Sequence, residues 1–251
     1  MHEFTRREFT QETLGSLLAF SLLQTVFARD AFSREVQPLT AAWLAEVNEI
    51  SESLRGKKLT QVEWQTQVEK LLDQVSVTEL MKFIDFEKLT RGVKFKEQGE
   101  LSLRPQFPEV EGLPTELVYG TQLFALQKDR SVVPHGHMNM ATAFIVLQGE
   151  FHGRHFDRLE DAPESMVIRP TIDKTFGPGG HSSISDDKDN VHWFKTISET
   201  GHIFNIHVYH VVRSKDVPTG RVYIDPEGQS LSQGRILAKK ISYEQAYKKY
   251  G

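Results

Sequence analysis

SVVPHGHMNMATAFIVLQGEFHGRHFDR, Ser131 to Arg158, sets two histidines around one glycine, follows them with an unbroken apolar run, and places two more histidines after Gly149. Short apolar stretches bounded by glycine and proline read as buried strands. The same pattern extends to both sides. From Thr115 onward ELVYGTQLFAL, TAFIVLQ, EFHGRHF, SMVIRP, VHWFKTI, HIFNIHVYHVV and GRVYI alternate with loops of Gly, Pro and Asp, which predicts an all-β sandwich or barrel. On an extended strand residues two apart share a face, so His135 and His137 project together and Gly136 keeps the opposite side clear. Two imidazoles on one face are half a metal site, and a catalytic site usually takes three protein ligands and leaves positions open.

The segment before the strands has a different period. TQVEWQTQVEKLL opens with Thr60 and Glu63 in capping-box spacing, and Val62, Val68, Leu71 and Leu72 mark an apolar face; Ser76 and Glu79 repeat the spacing before LMKFI. These are structural helices, in which Trp43 and Trp64 are read as core. The polar tail after Asp225 is expected to end in a short helix capped by Ser242. The expected organisation is a signal-like region over 1–31, a helical segment over 32–100, a β-barrel over 101–225 and a tail over 226–251.

Composition removes several function classes. The chain has 251 residues, and 30 basic against 34 acidic residues give a net charge of −4, with no basic stripe of the kind nucleic acid requires. There is no cysteine, so disulfides, thiolate ligands and a cysteine nucleophile are excluded and a metal must be held by His, Asp or Glu. At the amino terminus TRREFTQ, Thr5 to Gln11, resembles a twin-arginine export motif, and TLGSLLAFSLLQTVFA, Thr13 to Ala28, has signal-peptide length but is short for a membrane span. Ala28 and Ala31 offer cleavage sites. A periplasmic or otherwise exported protein is expected, with a cytoplasmic one as the alternative, and no stable membrane span remains after signal removal.

The stretch from Thr115 to Val212 resembles the cupin superfamily, whose first motif reads G-x5-H-x-H-x3,4-E-x6-G on a small jelly-roll barrel. His135, His137 and Gly149 fit that spacing; Thr142 stands where the family usually has its glutamate ligand, and Asp129 replaces the leading glycine. The histidine of the family's second motif falls on His192 in DDKDNVHWF, without the usual P-x-G before it. The resemblance therefore implies an all-β cupin barrel preceded by a small helical segment, with metal ligands His135, His137 and His192.

Three imidazoles without a carboxylate resemble the thiol dioxygenase branch, which uses non-haem iron(II) to add O2 to a thiol sulfur. NIHVYH is similar to that branch's Ser-x-His-x-Tyr segment, with Asn205 in place of the serine. Carried over, His207 and Tyr209 become a catalytic proton-relay pair, and alternation puts Asn205, His207 and Tyr209 on one strand face. The other reading of His207 is an ordinary buried barrel histidine. The implied cofactor is Fe(2+), with Zn, Ni and Cu as alternatives, and the implied partners are O2 and a small-molecule substrate such as a thiol. The arginine that would bind a substrate carboxylate has two candidates, Arg104 and Arg154. His152, His181, His202 and His210 are read as surface or supporting groups, and His155 as the substitute ligand for His192. Two rival functions share the ligand set: a non-catalytic metal- or small-molecule-binding cupin, and a cupin isomerase or carbon-substrate dioxygenase.

Overall fold

The computed structural model describes residues 29–251, with side chains from residue 39; the export-type motif and apolar run read over residues 5–28 lie outside the described residues. Four helices come first: α1 (Arg29–Arg55), α2 (Gln61–Leu72), α3 (Val77–Phe83) and α4 (Phe86–Thr90). The Thr60 and Glu63 capping box forms in full, while Ser76 accepts from the Glu79 amide without the reciprocal bond. The buried face of α2 carries Trp64, Gln65, Val68 and Leu72. Val62, expected on that face, is 40% exposed, because the helix turns toward the barrel on its Trp64 and Gln65 side. Trp43 and Trp64 are both core, and each satisfies its indole N–H, Trp43 by donating to Leu71 O at 2.7 Å and Trp64 by donating to Ser51 Oγ at 3.2 Å. Among the described residues no helix is long and apolar enough to cross a membrane.

The remaining chain forms an all-β barrel, as the strand pattern predicts, and it takes the jelly-roll form that the family resemblance implies. Its strands are β1 (Leu101–Leu103), β2 (Gly120–Gln127), β3 (Ser131–Met138), β4 (Met140–Gln148), β5 (Phe151–Asp161), β6 (Ser165–Phe176), β7 (His181–Ile184), β8 (Val191–Thr196), β9 (Thr200–Tyr209), β10 (Gly220–Ser230) and β11 (Ile236–Lys240), followed by α5 (Tyr243–Tyr250). One sheet runs β1-β2-β9-β4-β7, and β10-β11-β6-β5-β8-β3 close into a ring; all pairings are antiparallel.

Alternation explains why β4 and β9 are buried along almost their whole length. Ala141, Ala143, Ile145 and Leu147 of β4 and Phe204, Ile206 and Val208 of β9 pack with the helices, whereas Phe144, Val146 and Ile203 face the opposite way, into a cluster with Phe151, Phe176 and Phe194. Burying both faces of a strand removes the polar half of the period-2 pattern. Polar bonds fix the helical layer to the barrel: Tyr119 Oη donates to Leu44 O at 3.0 Å, Ser185 Oγ to Gln65 Oε1 at 2.7 Å and Ser183 Oγ to Glu69 Oε1 at 2.6 Å.

The region read as a tail contributes to the barrel. β10 continues to Ser230, and β11 pairs with both β10 and β6, so barrel strands reach Lys240. The strand signal is weak there because only Ala238 of β11 is buried. The closing helix forms as expected, with a complete capping box between Ser242 and Gln245.

Candidate metal centre

His135 and His137 sit on β3, where the strand period aims both rings inward. His192 on β8 lies directly opposite His135 in the β3–β8 register. One ring nitrogen from each of the three comes within 4.8 Å of the others, all three side chains are buried, and no carboxylate belongs to the group. His135 Nε2 and His137 Nε2 are 3.2 Å apart. Two imidazole nitrogens bound at roughly 2.0–2.1 Å to one ion stand about 3 Å from each other, so this pair fits a shared first-row metal. The donor set, neutral imidazole only, suits iron, zinc, nickel or copper.

Electrostatics keep the lone pairs available. Burial, first of all, and then the charge of Arg221 hold His135 well below the usual histidine range; for His137 and His192 burial again dominates, followed by the neighbouring rings. All three are neutral at pH 7. The backbone also supports them: His135 Nδ1–H donates to Val133 O at 2.8 Å, and Asn190 Nδ2 donates to His137 O and to Ser185 O, both at 2.9 Å.

Gly136 is required by this arrangement. A Cβ there would stand 2.7 Å from Asn190 Oδ1 and 3.3 Å from Val191 Cγ2. Gly136→Ala is therefore expected to displace the Asn190 amide that fixes the His137 carbonyl. Metal affinity should fall by roughly 10–100-fold, the usual cost of disturbing groups behind the ligands, as read by competition with a chromogenic chelator.

Across the barrel interior from the three histidines stand residues of the other sheet. Thr142 on β4 pairs in register with His207 on β9. Thr142 Oγ1 lies 3.3 Å from His137 Nδ1 and 2.9 Å from His207 Nδ1. His207 Nε2 is buried and has no protein partner; burial lowers this ring to about 3. A small cavity, with room for about one water molecule, lies between the sheets and is lined by His137, His192, Thr142, Asn205, His207 and Arg221, with phenylalanines at its sides.

His207 and Asn205 thus share the cavity face of β9. Tyr209 continues their row but is 37% exposed; its ring centroid is 5.6 Å from that of His207, and its hydroxyl forms no hydrogen bond among the described residues. His207 is oriented by Thr142 instead. His155 is fully buried in the β5–β8 register opposite His192, with both ring nitrogens unpartnered, its ring packed by Phe144, Phe176 and Phe194 and its centroid 6.3 Å from that of His192. His152 meets Asp173, His181 meets Gly179 O and Asp73, and His210 meets Thr219, whereas His202 is buried against Phe86.

Neither arginine candidate reaches the cavity. Arg104 is exposed, and Arg154 lies over the Trp193 ring in a surface groove beside Asp173. The arginine that does line the cavity is Arg221, opposite His137 in the β10–β3 register and paired with the buried Glu100 at 3.2 Å. Its sequence signal is slight: in GRVYI the period-2 pattern puts Arg221 on the face of Tyr223, and only the strand pairing shows that this face meets the histidines.

No protein-family model matches the chain, and no curated protein matches it. Among solved structures it is similar to procruciferin, an 11S globulin from Brassica napus, at 15% identity and a TM-score of 0.30, over 38% of this chain and 21% of that one. A pumpkin seed globulin matches at 12% identity and TM-score 0.36 over 53% and 31% of the two chains, and an oxalate oxidase at 13% and 0.38 over 54% and 61%. The chain thus spans about a fifth to a third of the length of these globulins. The strand pairing described above, rather than these likenesses, establishes the jelly-roll fold.

Proposed function

We propose that this protein is a metal-dependent oxidoreductase of the cupin type, a non-haem iron(II) dioxygenase acting on a small thiol. The observation that supports this reading is the buried group of three neutral imidazoles without a carboxylate, facing His207 and Arg221 across a small cavity. Iron(II) held by His135, His137 and His192 would supply the redox chemistry with O2 that no side chain here possesses. An all-neutral ligand set leaves the cation's charge uncompensated, which favours an anionic ligand such as a thiolate. The reaction is R–SH + O2 → R–SO2H, in which both oxygen atoms end on sulfur, the sulfur gives up the four electrons that O2 accepts, and no further reductant is required.

The chain's own residues bind and orient. Arg221 adds positive potential on the cavity wall, moderated by Glu100, and His207 presents Nε2 toward the ligand. Phe124, Phe144 and Phe194 exclude water, which strengthens both interactions. Tyr209 stands at the solvent end of the same strand face and acts as the proton donor there.

Elemental analysis of protein purified without added metal is expected to find iron, and oxygen uptake across a panel of thiols and diketones should select a thiol at one O2 per thiol consumed. Tyr209→Phe should retain the metal and lose roughly ten- to ten-thousand-fold in oxygen uptake, the range for a positioned proton donor. Unchanged uptake in that variant would remove Tyr209 from the mechanism. The small size of the cavity favours a second reading, a non-catalytic metal-binding module; it predicts full metal content with no oxygen uptake on any substrate.

A further inference from the structure

Four contacts form one continuous chain: Val133 O to His135 Nδ1, His135 Nε2 to His137 Nε2, His137 Nδ1 to Thr142 Oγ1, and Thr142 Oγ1 to His207 Nδ1. The first link fixes its own polarity. A carbonyl can only accept, so His135 carries its proton on Nδ1 and presents a lone pair at Nε2. A lone pair cannot face a second lone pair at 3.2 Å. Either His137 Nε2 bears a proton and donates it to His135, or both nitrogens give their lone pairs to a cation.

The two cases run the rest of the chain in opposite directions. With a proton on His137 Nε2, Nδ1 is bare and accepts from the Thr142 hydroxyl; the Thr142 oxygen then accepts from His207 Nδ1–H, and His207 Nε2 is bare. With a cation at His137 Nε2, the ring proton sits on Nδ1 and is donated to Thr142. The single hydroxyl proton of Thr142, which has no other partner among the described residues, then points to His207 Nδ1 and places the His207 proton on Nε2. That nitrogen is buried, unpartnered and part of the cavity wall.

We infer that loading the three histidines with a divalent metal reverses this chain through Thr142. His207 Nε2 thereby changes from a hydrogen-bond acceptor into a donor, and the metal-loaded cavity becomes a site for a small anion. The inference rests on the metal reading proposed above and adds Thr142 as a positioning residue. Protons balance: one leaves His137 Nε2 as the metal enters and one is taken up at His207 Nε2, so the net charge of the rings is unchanged. The device couples two events that sequence separation hides, since His137 and His207 lie on different sheets and share only the Thr142 hydroxyl.

Zinc loading of 15N-labelled protein provides a test without mutation. Two-bond nitrogen–proton correlation of the imidazoles is expected to show His207 protonated at Nδ1 in metal-free protein and at Nε2 after zinc is added. Cobalt(II)-loaded protein titrated with fluoride, an anion no larger than the water molecule the cavity admits, and followed by visible absorption, reads the consequence. Thr142→Val should retain cobalt yet bind fluoride roughly 10–100-fold more weakly, the loss of one hydrogen bond to a charged group, and Thr142→Ser should stay within about threefold of the parent, since it keeps the hydroxyl that relays the bond. Zinc-loaded parent protein with His207 protonated at Nδ1 would overturn the coupling alone, as would parent-like fluoride affinity in cobalt-replete Thr142→Val. Protein that takes up no zinc would overturn the metal reading and the coupling together. Should Thr142→Val not fold, the zinc experiment on the parent decides the matter.

Discussion

His135→Ala, His137→Ala and His192→Ala are each expected to purify without bound metal while the parent carries it. The three imidazoles sit within 4.8 Å of one another with no carboxylate in the group, so two ligands remain after any single change. The loss should exceed the roughly 10–100-fold that disturbing an outer group causes. Elemental analysis reads this directly, and thermal unfolding reads it through mass action. A metal at 100 times its dissociation constant stabilises the parent by about 2.7 kcal/mol; the variants should show no metal-dependent rise in Tm. His192→Ala is the most discriminating of the three, because His155 occupies the neighbouring register position with both nitrogens unpartnered. Full metal content in His192→Ala would transfer the third ligand to His155 or His207.

The parts of this site that the sequence reveals are those that depend on local spacing. His135 and His137 are legible because a strand period of two places them on one face. His192 is legible only through the likeness of its surroundings to a second motif, since its position depends on β3–β8 pairing across more than fifty residues of chain. Thr142 reads in the sequence as a missing ligand, yet its hydroxyl joins His137 to His207, a connection that arises from β4–β9 pairing. Arg221 was not legible for the same reason: it meets His137 only when β10 closes the ring. The apolar run TAFIVLQ predicts a buried strand but not which residues face inward. Both faces of β4 are covered, one by the helices and one by the phenylalanine cluster. β11 escaped because its inward positions offer only one buried apolar side chain.

Acid should unfold the metal-free protein within a narrow range below neutrality. Burial lowers His155 and His207 to about 3 each and holds His135, His137 and His192 well below their usual range. The folded values lie under the unfolded value near 6.5, so above that pH neither state binds a proton at these rings and they give stability no slope. As pH falls through 6.5 the unfolded chain takes up protons that the native protein refuses, and stability drops by about 1.4 kcal/mol per pH unit for each such histidine. His155 and His207 together remove about 3 kcal/mol per unit, and over about two units that approaches the whole stability of a marginal domain, whose typical range is roughly 5–15 kcal/mol; the three metal-site histidines act in the same direction. The Tm of metal-free protein should therefore fall steeply between pH 6.5 and 4.5, and a flat profile would contradict the burial of this cluster. His155→Phe isolates one contribution. It replaces an imidazole without hydrogen-bond partners, packed by Phe144, Phe176 and Phe194, with a ring that needs none. Stability at pH 7 should hold or rise by about 1–3 kcal/mol, the desolvation cost of an unpaired polar group. The slope below pH 6.5 should lessen by about 1.4 kcal/mol per unit. An unchanged slope in His155→Phe, measured by denaturant titration at successive pH values, would show that His155 is protonated in the folded protein and that the phenylalanine cluster admits water.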